Sequence, residues 1–152
     1  MPIFNRFFLV NNKISPLFLG KAGPRVQVEV HISPVLATYL SQRGEAIPAP
    51  ISGEALFDTG ASISAVDMAA ITNLGLNPMG VASVHTPGGT VQQNLYPVTF
   101  LFPQLANIKA VFNSVMGSEL KSQGIIALVG RDFLSNCLLI YNGPAGIFSI
   151  SI

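Results

Sequence analysis

The stretch of this chain best suited to chemistry is an apolar run that ends in a single acid, Glu54-Ala55-Leu56-Phe57-Asp58-Thr59-Gly60-Ala61-Ser62. Ala55, Leu56 and Phe57 draw a strand into the interior. The small residues that follow make a tight turn, in which Gly60 is free to take positive φ. The expectation is an Asp58 carboxylate carried to the floor of a cavity, where it is costly unless hydrogen-bonded or paired. Such a group transfers protons. It becomes hydrolytic when a second carboxyl lies about 3 Å away, because two acids that close cannot both ionise and must share a proton. One then accepts a proton from an attacking water while the other donates one to the oxygen under attack.

The chain supplies one such turn. Asp67 and Asp132 stand in different contexts, so neither is a second member of a pair. Two chains meeting on a twofold axis would solve this, since a residue near the axis meets its own copy. Other chemistries find less support. Cys137 precedes Leu138-Leu139-Ile140 and reads as a buried core thiol. Ser62 and Ser64 lack a G-x-S-x-G elbow, and the glycines form neither a phosphate loop nor a dinucleotide fingerprint. Two histidines and one cysteine are too few for a zinc cage. No metal or organic cofactor is expected.

At Leu56 to Ser62 the chain resembles the retropepsin-like aspartic proteases, single-domain relatives of pepsin whose signature is two apolar residues followed by D-T-G-A-S/D. A second family signature, an apolar pair, G-R-D/N and another apolar pair, recurs as Leu128-Val129-Gly130-Arg131-Asp132-Phe133-Leu134. The resemblance covers residues 25 to 152. It implies a closed, all-β acid-protease barrel with one or two short helices and a flap hairpin. It also implies a homodimeric endopeptidase acting on polypeptides. Asp58 of each subunit would form the dyad, Thr59 would reach across beneath it to the opposite loop, and Gly60 would bring its amide to the carboxylate. Leu128, Val129, Gly130 and Arg131 would back the turn. Ala61 and Ser62, with Thr86, Pro87, Gly88, Gly89 and Thr90 of the flap, would bind substrate, and Tyr96 matches a tyrosine on the flap's returning strand. In retroviral members the arginine of the second motif pairs with an acid four residues beyond the catalytic one. Ser62 stands there, so Arg131 must use Asp67, Asp132 or a backbone carbonyl, because a buried unpaired arginine is expensive. A retropepsin-fold dimerisation or peptide-binding module without catalysis is the rival reading. An inactive monomer awaiting a trigger is a third.

The totals fit one domain, residues 1–152, with a real core. Charged residues are 10% and the hydrophobic set is 49%, which suggests additional buried surface such as a subunit interface. The net charge is +1 and the basic residues do not cluster, so no nucleic acid is expected. No apolar run reaches the ~18 residues of a membrane helix. Phe7-Phe8-Leu9-Val10 is shorter than a signal-peptide core of about 7–15 residues. A cytoplasmic protein without membrane contact is the expectation. Residues 1–24 read as an ordered arm, in the dimer interface or fraying.

The elements that must position Asp58 follow from periodicity. Residues 3–10 are aromatic and apolar and suit a strand, and 20–24 suit a turn. Residues 25–32 alternate as a half-buried strand with His31 on the polar face. Ser33-Pro34 caps a helix over 35–42, stopped near Gly44. Residues 46–53 read as a loop and 67–74 as a short helix capped by Ser64 or Asp67. A hairpin over 82–91 turns at Pro-Gly-Gly, and its return arm to 102 is broken by Pro97. Strands follow at 108–116, 125–129, 137–141 and 146–152, with helical turns at 131–136. The terminal strands either interleave between subunits, as in the family, or pair within one chain; both are too apolar to leave as bare edges.

Overall fold

The computed structural model describes residues 3–86 and 88–152. Its strands and helices run in the order β1 (Ile3–Phe7), β2 (Leu9–Val10), β3 (Lys13–Ile14), α1 (Pro16–Ala22), β4 (Arg25–Ile32), α2 (Pro34–Gln42), β5 (Ile51–Phe57), β6 (Ala65–Asp67) and α3 (Met68–Asn73). The second half continues with β7 (Gly80–Thr86), β8 (Gly89–Phe102), β9 (Ile108–Ser118), β10 (Ala127–Val129), α4 (Arg131–Leu134), β11 (Leu138–Asn142) and β12 (Ile147–Ser151). A single 3-10 turn, Lys121–Gln123, precedes β10.

Strands β4, β5, β10, β6, β9 and β8 are hydrogen-bonded in that order, and β8 pairs back onto β4, so the sheet closes into a barrel. The expected all-β barrel is thus present. β4 shows why: Val26, Val28, Val30 and Ile32 alternate inward and are all buried. β10 lies between β5, to which it runs parallel, and β6, to which it is antiparallel. Its Ala127 and Val129, on one face, are wholly buried, whereas Leu128 on the other face is half-buried, so the strand is covered fully on one side rather than on both. Phe57, the last residue of β5, sits with its ring 6.4 Å from both Phe102 and Phe148. That packing anchors the strand just before Asp58.

Several expectations need correction. The helices number four rather than one or two among the described residues. The missed one, α1, starts like α2: Ser15 caps it and Pro16 opens it. Gly20 is inside α1, so the turn expected from residue 20 begins later, at Gly23. Strand β5 starts at Ile51, inside the expected loop. β9 continues to Ser118, pairing in parallel with β6. Pro97 does not end its strand: β8 passes through it with a register shift between Tyr96 and Val98, the bulge a residue without an N–H requires. α2 and α3 match, with caps Ser33 and Asp67.

The terminal strands pair within the chain. β12 lies between β1 and β11, antiparallel to both, with Ile3 opposite Ser151 and Leu138 opposite Ser151 on its other side. The arm is also tied to the barrel wall, where Arg6 Nη2 donates to Glu54 Oε1 at 3.0 Å and Arg25 lies 3.7 Å from the same carboxylate.

Candidate active site

Two chain crossings, residues 57–64 and 129–134, meet to build the site. The Asp58 amide donates to the Val129 carbonyl at 2.9 Å, continuing the parallel β5–β10 ladder into the turn. Beyond Asp58 the chain turns sharply, with the Ala61 amide returning to the Asp58 carbonyl at 3.2 Å. The Gly60 amide donates to Asp58 Oδ1 at 2.8 Å. Gly60 does not use positive φ, contrary to expectation. Its reason for being glycine is proximity: a Cβ there would lie 3.0 Å from Asp58 Oδ1. Asp58 is half-buried and Thr59 and Gly60 are exposed, so in the single chain the turn lies near the surface rather than on a cavity floor.

The second motif grips this turn through its backbone. Arg131 Nη1 donates to the Thr59 carbonyl at 2.7 Å, and the Arg131 amide donates to the Ala61 carbonyl at 2.9 Å. Of the partners open to Arg131, the backbone carbonyl is the one used. Asp67 is committed elsewhere: buried, it accepts from the amides of Ala69, Leu120 and Lys121. Asp132 is committed to Ser64, accepting its amide at 2.8 Å and its hydroxyl at 2.7 Å. Ser64 is fully buried, and its Oγ accepts the Gly130 amide at 3.0 Å. Gly130 sits where a Cβ would fall 2.9 Å from the Ile63 carbonyl carbon and 3.0 Å from the Ala61 oxygen. Only glycine lets the two crossings touch there.

The structure therefore brings together Asp58, Thr59, Gly60, Ala61 and Ser62 with Val129, Gly130 and Arg131. Leu128 lies opposite Leu56 on the ladder behind them. Sequence reasoning missed the pairing of Ser64 with Asp132. Ser64 lies just beyond the first motif and Asp132 within the second, but that they meet depends on strands far apart in sequence.

The hairpin of β7 and β8 is longer than expected, from Gly80 opposite Leu95 to Thr86 opposite Gly89. Among the described residues β7 pairs with β8 alone, so the hairpin extends from the barrel. Toward its end Gly88, Gly89 and Thr90 are exposed. Pro87 lies outside the described residues, and of Thr86 only the strand backbone is described. Cross-strand bonds stiffen one face: His85 Nδ1 lies 3.0 Å from Thr90 Oγ1, and Gln92 donates to Ser83 at 2.8 Å. Tyr96 does not face outward: it is buried in the core, where β8 has left the hairpin and joined the barrel. His31 lies on the barrel surface beside Glu29, 3.1 Å away.

Among the described residues, no group of three His, Cys, Asp or Glu side chains is placed to hold a metal ion. No helix among them is long and apolar enough to cross a membrane.

No protein-family model matches the chain, and no curated protein matches it in sequence. Three solved structures are similar in outline. The simian foamy virus (mac) protease is 20% identical, with 74% of this chain and 92% of that chain covered and a TM-score of 0.44. The foamy viral protease–reverse transcriptase, determined with an RNA/DNA hybrid, is 17% identical, with 72% and 11% covered and a TM-score of 0.45. The EIAV protease, complexed with the inhibitor HBY-793, is 20% identical, with 74% and 86% covered and a TM-score of 0.44. In its two motifs, and in the closed ring of strands that locks one against the other, the chain resembles the retropepsin-like fold.

Proposed function

We propose that this chain is one half of an aspartic endopeptidase, which hydrolyses peptide bonds with a water activated between two Asp58 carboxyls. The observation that carries the reading is the locked turn. Asp58 is fixed by its own amide on Val129 and by the Gly60 amide on Oδ1, while Arg131 holds the next carbonyl. A preorganised carboxylate at a rigid bend is what general acid–base catalysis uses. One carboxyl cannot be both acid and base in the same step, so the second comes from a partner copy across a twofold axis.

In that dimer, one Asp58 accepts a proton from water as the oxygen attacks the peptide carbonyl, and the other donates a proton to the carbonyl oxygen. Collapse of the tetrahedral intermediate breaks the C–N bond, with the proton passed to the departing amine. Thr59, exposed in the single chain, is left accessible to the opposite turn. The hairpin ending at Gly88 and Gly89 closes over the substrate backbone and excludes water.

The test is proteolysis of an unstructured protein across pH by the wild-type chain and by Asp58→Asn. The expected result is activity with a bell-shaped pH dependence that the substitution abolishes. Equal proteolysis by both proteins would leave a non-catalytic dimerisation or peptide-binding module as the better reading.

A further inference from the structure

The outward face of β8 and β9 carries a groove. Thr99 stands opposite Val111 and Leu101 opposite Lys109, while Val98, Phe100 and Phe102 point into the core. Pro97, Thr99 and Leu101 therefore share the outer face with Lys109, Val111 and Asn113. Two adjoining cavities lie on it, and Val111 and Pro34, the first residue of α2, line both.

The larger cavity, about 530 Å³, falls in the range of small-ligand sites, roughly 300–1,000 Å³. Val35, Leu36, Tyr39, Leu76, Met79 and Phe112 give it an apolar wall. Val35 and Met79 are 80% and 75% exposed, so much of this apolar surface is uncovered in the single chain. The smaller cavity, about 210 Å³, has a polar end made by His31, Thr99 and Lys109. Lys109 forms no ion pair among the described residues. Thr99 is 7% exposed, and its buried hydroxyl has no hydrogen-bond partner among the described residues. Such a hydroxyl is costly. Rotation about χ1 exchanges it with the methyl group, so it can reach a guest in this cavity.

We propose that the groove binds a single-chain aliphatic carboxylate. The carboxylate accepts from the Lys109 ammonium and the Thr99 hydroxyl, and the chain runs past Val111 and Pro34 into the larger cavity. Glu29, the acid near the polar end, is taken by His31 at 3.1 Å. From Lys109 to Asn113 the floor is about 13 Å long, so it suits an extended chain rather than a compact ion. Along Val98 to Leu101, β8 is bonded to β4 on one side and β9 on the other. That floor offers no free backbone edge, and a peptide lying on it would bury amides without partners. An aliphatic chain with one charged end has no such groups.

Calorimetric titration of the intact chain with sodium octanoate, beside octan-1-ol, tests this. Octanoate should saturate one site, and the alcohol should bind about tenfold more weakly or worse. Thr99→Val keeps the shape and removes the unpaired hydroxyl. It should melt at or above the parent temperature and lose about tenfold in octanoate affinity. Lys109→Met, at the surface, should fold like the parent and lose at least as much. Met79→Glu, in the larger cavity, should also weaken octanoate. Asp58→Asn should bind it like the parent, because this site does not depend on the dyad. Overturning results are no saturable binding, equal affinity for acid and alcohol, or an octanoate affinity unchanged by Thr99→Val or by Lys109→Met. Unchanged affinity in Met79→Glu would place the chain outside the larger cavity and overturn the proposal too. Tighter binding of an apolar tetrapeptide with a free C-terminal carboxylate would overturn it in favour of a peptide.

Discussion

Asp132 holds Ser64 with both carboxylate oxygens, Oδ2 on the amide at 2.8 Å and Oδ1 on the hydroxyl at 2.7 Å. The same hydroxyl accepts the Gly130 amide, so the two chain crossings share one node on the buried Ser64 side chain. Ser64→Ala removes the node and leaves the buried Gly130 amide without its acceptor. The expected cost is about 1–3 kcal/mol, read as a lower denaturant midpoint at unchanged slope. Asp132→Asn should cost less than Asp132→Ala, because an amide oxygen still accepts one of the two bonds.

Gly130→Ala tests the close approach directly. The new Cβ would press on the Ile63 and Ala61 backbone at 2.9–3.0 Å, with no flexible side chain to yield. Forcing the crossings apart should destabilise the fold by about 1–3 kcal/mol and lower kcat, both measurable on the purified protein. Gly60→Ala should spare stability by comparison, because its neighbour is the Asp58 side chain itself, and should show its effect mainly in kcat.

Arg131→Ala separates positioning from stability. Arg131 is exposed and its guanidinium bonds the Thr59 carbonyl. Its loss should move the melting temperature little and reduce kcat more than it raises KM, because the turn loosens while the substrate-binding surface stays. Arg131→Lys should recover part of the effect through one N–H donor.

The Cys137 thiol is pushed up from its ordinary range by burial. The thiolate is the reactive form, so alkylation by iodoacetamide near pH 8 should be slower in the folded protein than in denaturant. The linked stability has a definite sign. The unfolded chain loses the thiol proton first, so the contribution is whole below the ordinary thiol range of about 8.5 and falls as pH rises through it. Cys137→Ser should flatten that alkaline decline.

How much of this was legible in the residues differs by element. The alternation of Val26, Val28, Val30 and Ile32 revealed β4 because period and burial coincide. Ser33-Pro34 marks α2, and Ser15-Pro16 marks α1 in the same way, but Gly20 reads as a turn residue there and packing of the wholly buried Leu19 overrides it. Pro97 looked like an end because proline removes a ladder bond; a bulge accommodates it. The two motifs announced Asp58 and Arg131, whereas Ser64 carried no local signal. Its role exists because β10 lies between β5 and β6, a relation of topology. The terminal pairing was open for the same reason, since apolar ends show that an edge must be covered and not by which strand.

The most direct measurement is proteolysis by mixtures of wild-type and Asp58→Asn chains, equilibrated at fixed total concentration. If the active unit takes one Asp58 from each of two chains, mixed dimers are inactive and activity follows the square of the wild-type fraction. An equal mixture should then retain about one quarter of the wild-type rate. A linear decline, with half the rate retained in the equal mixture, would mean that each chain works alone and would contradict the shared dyad.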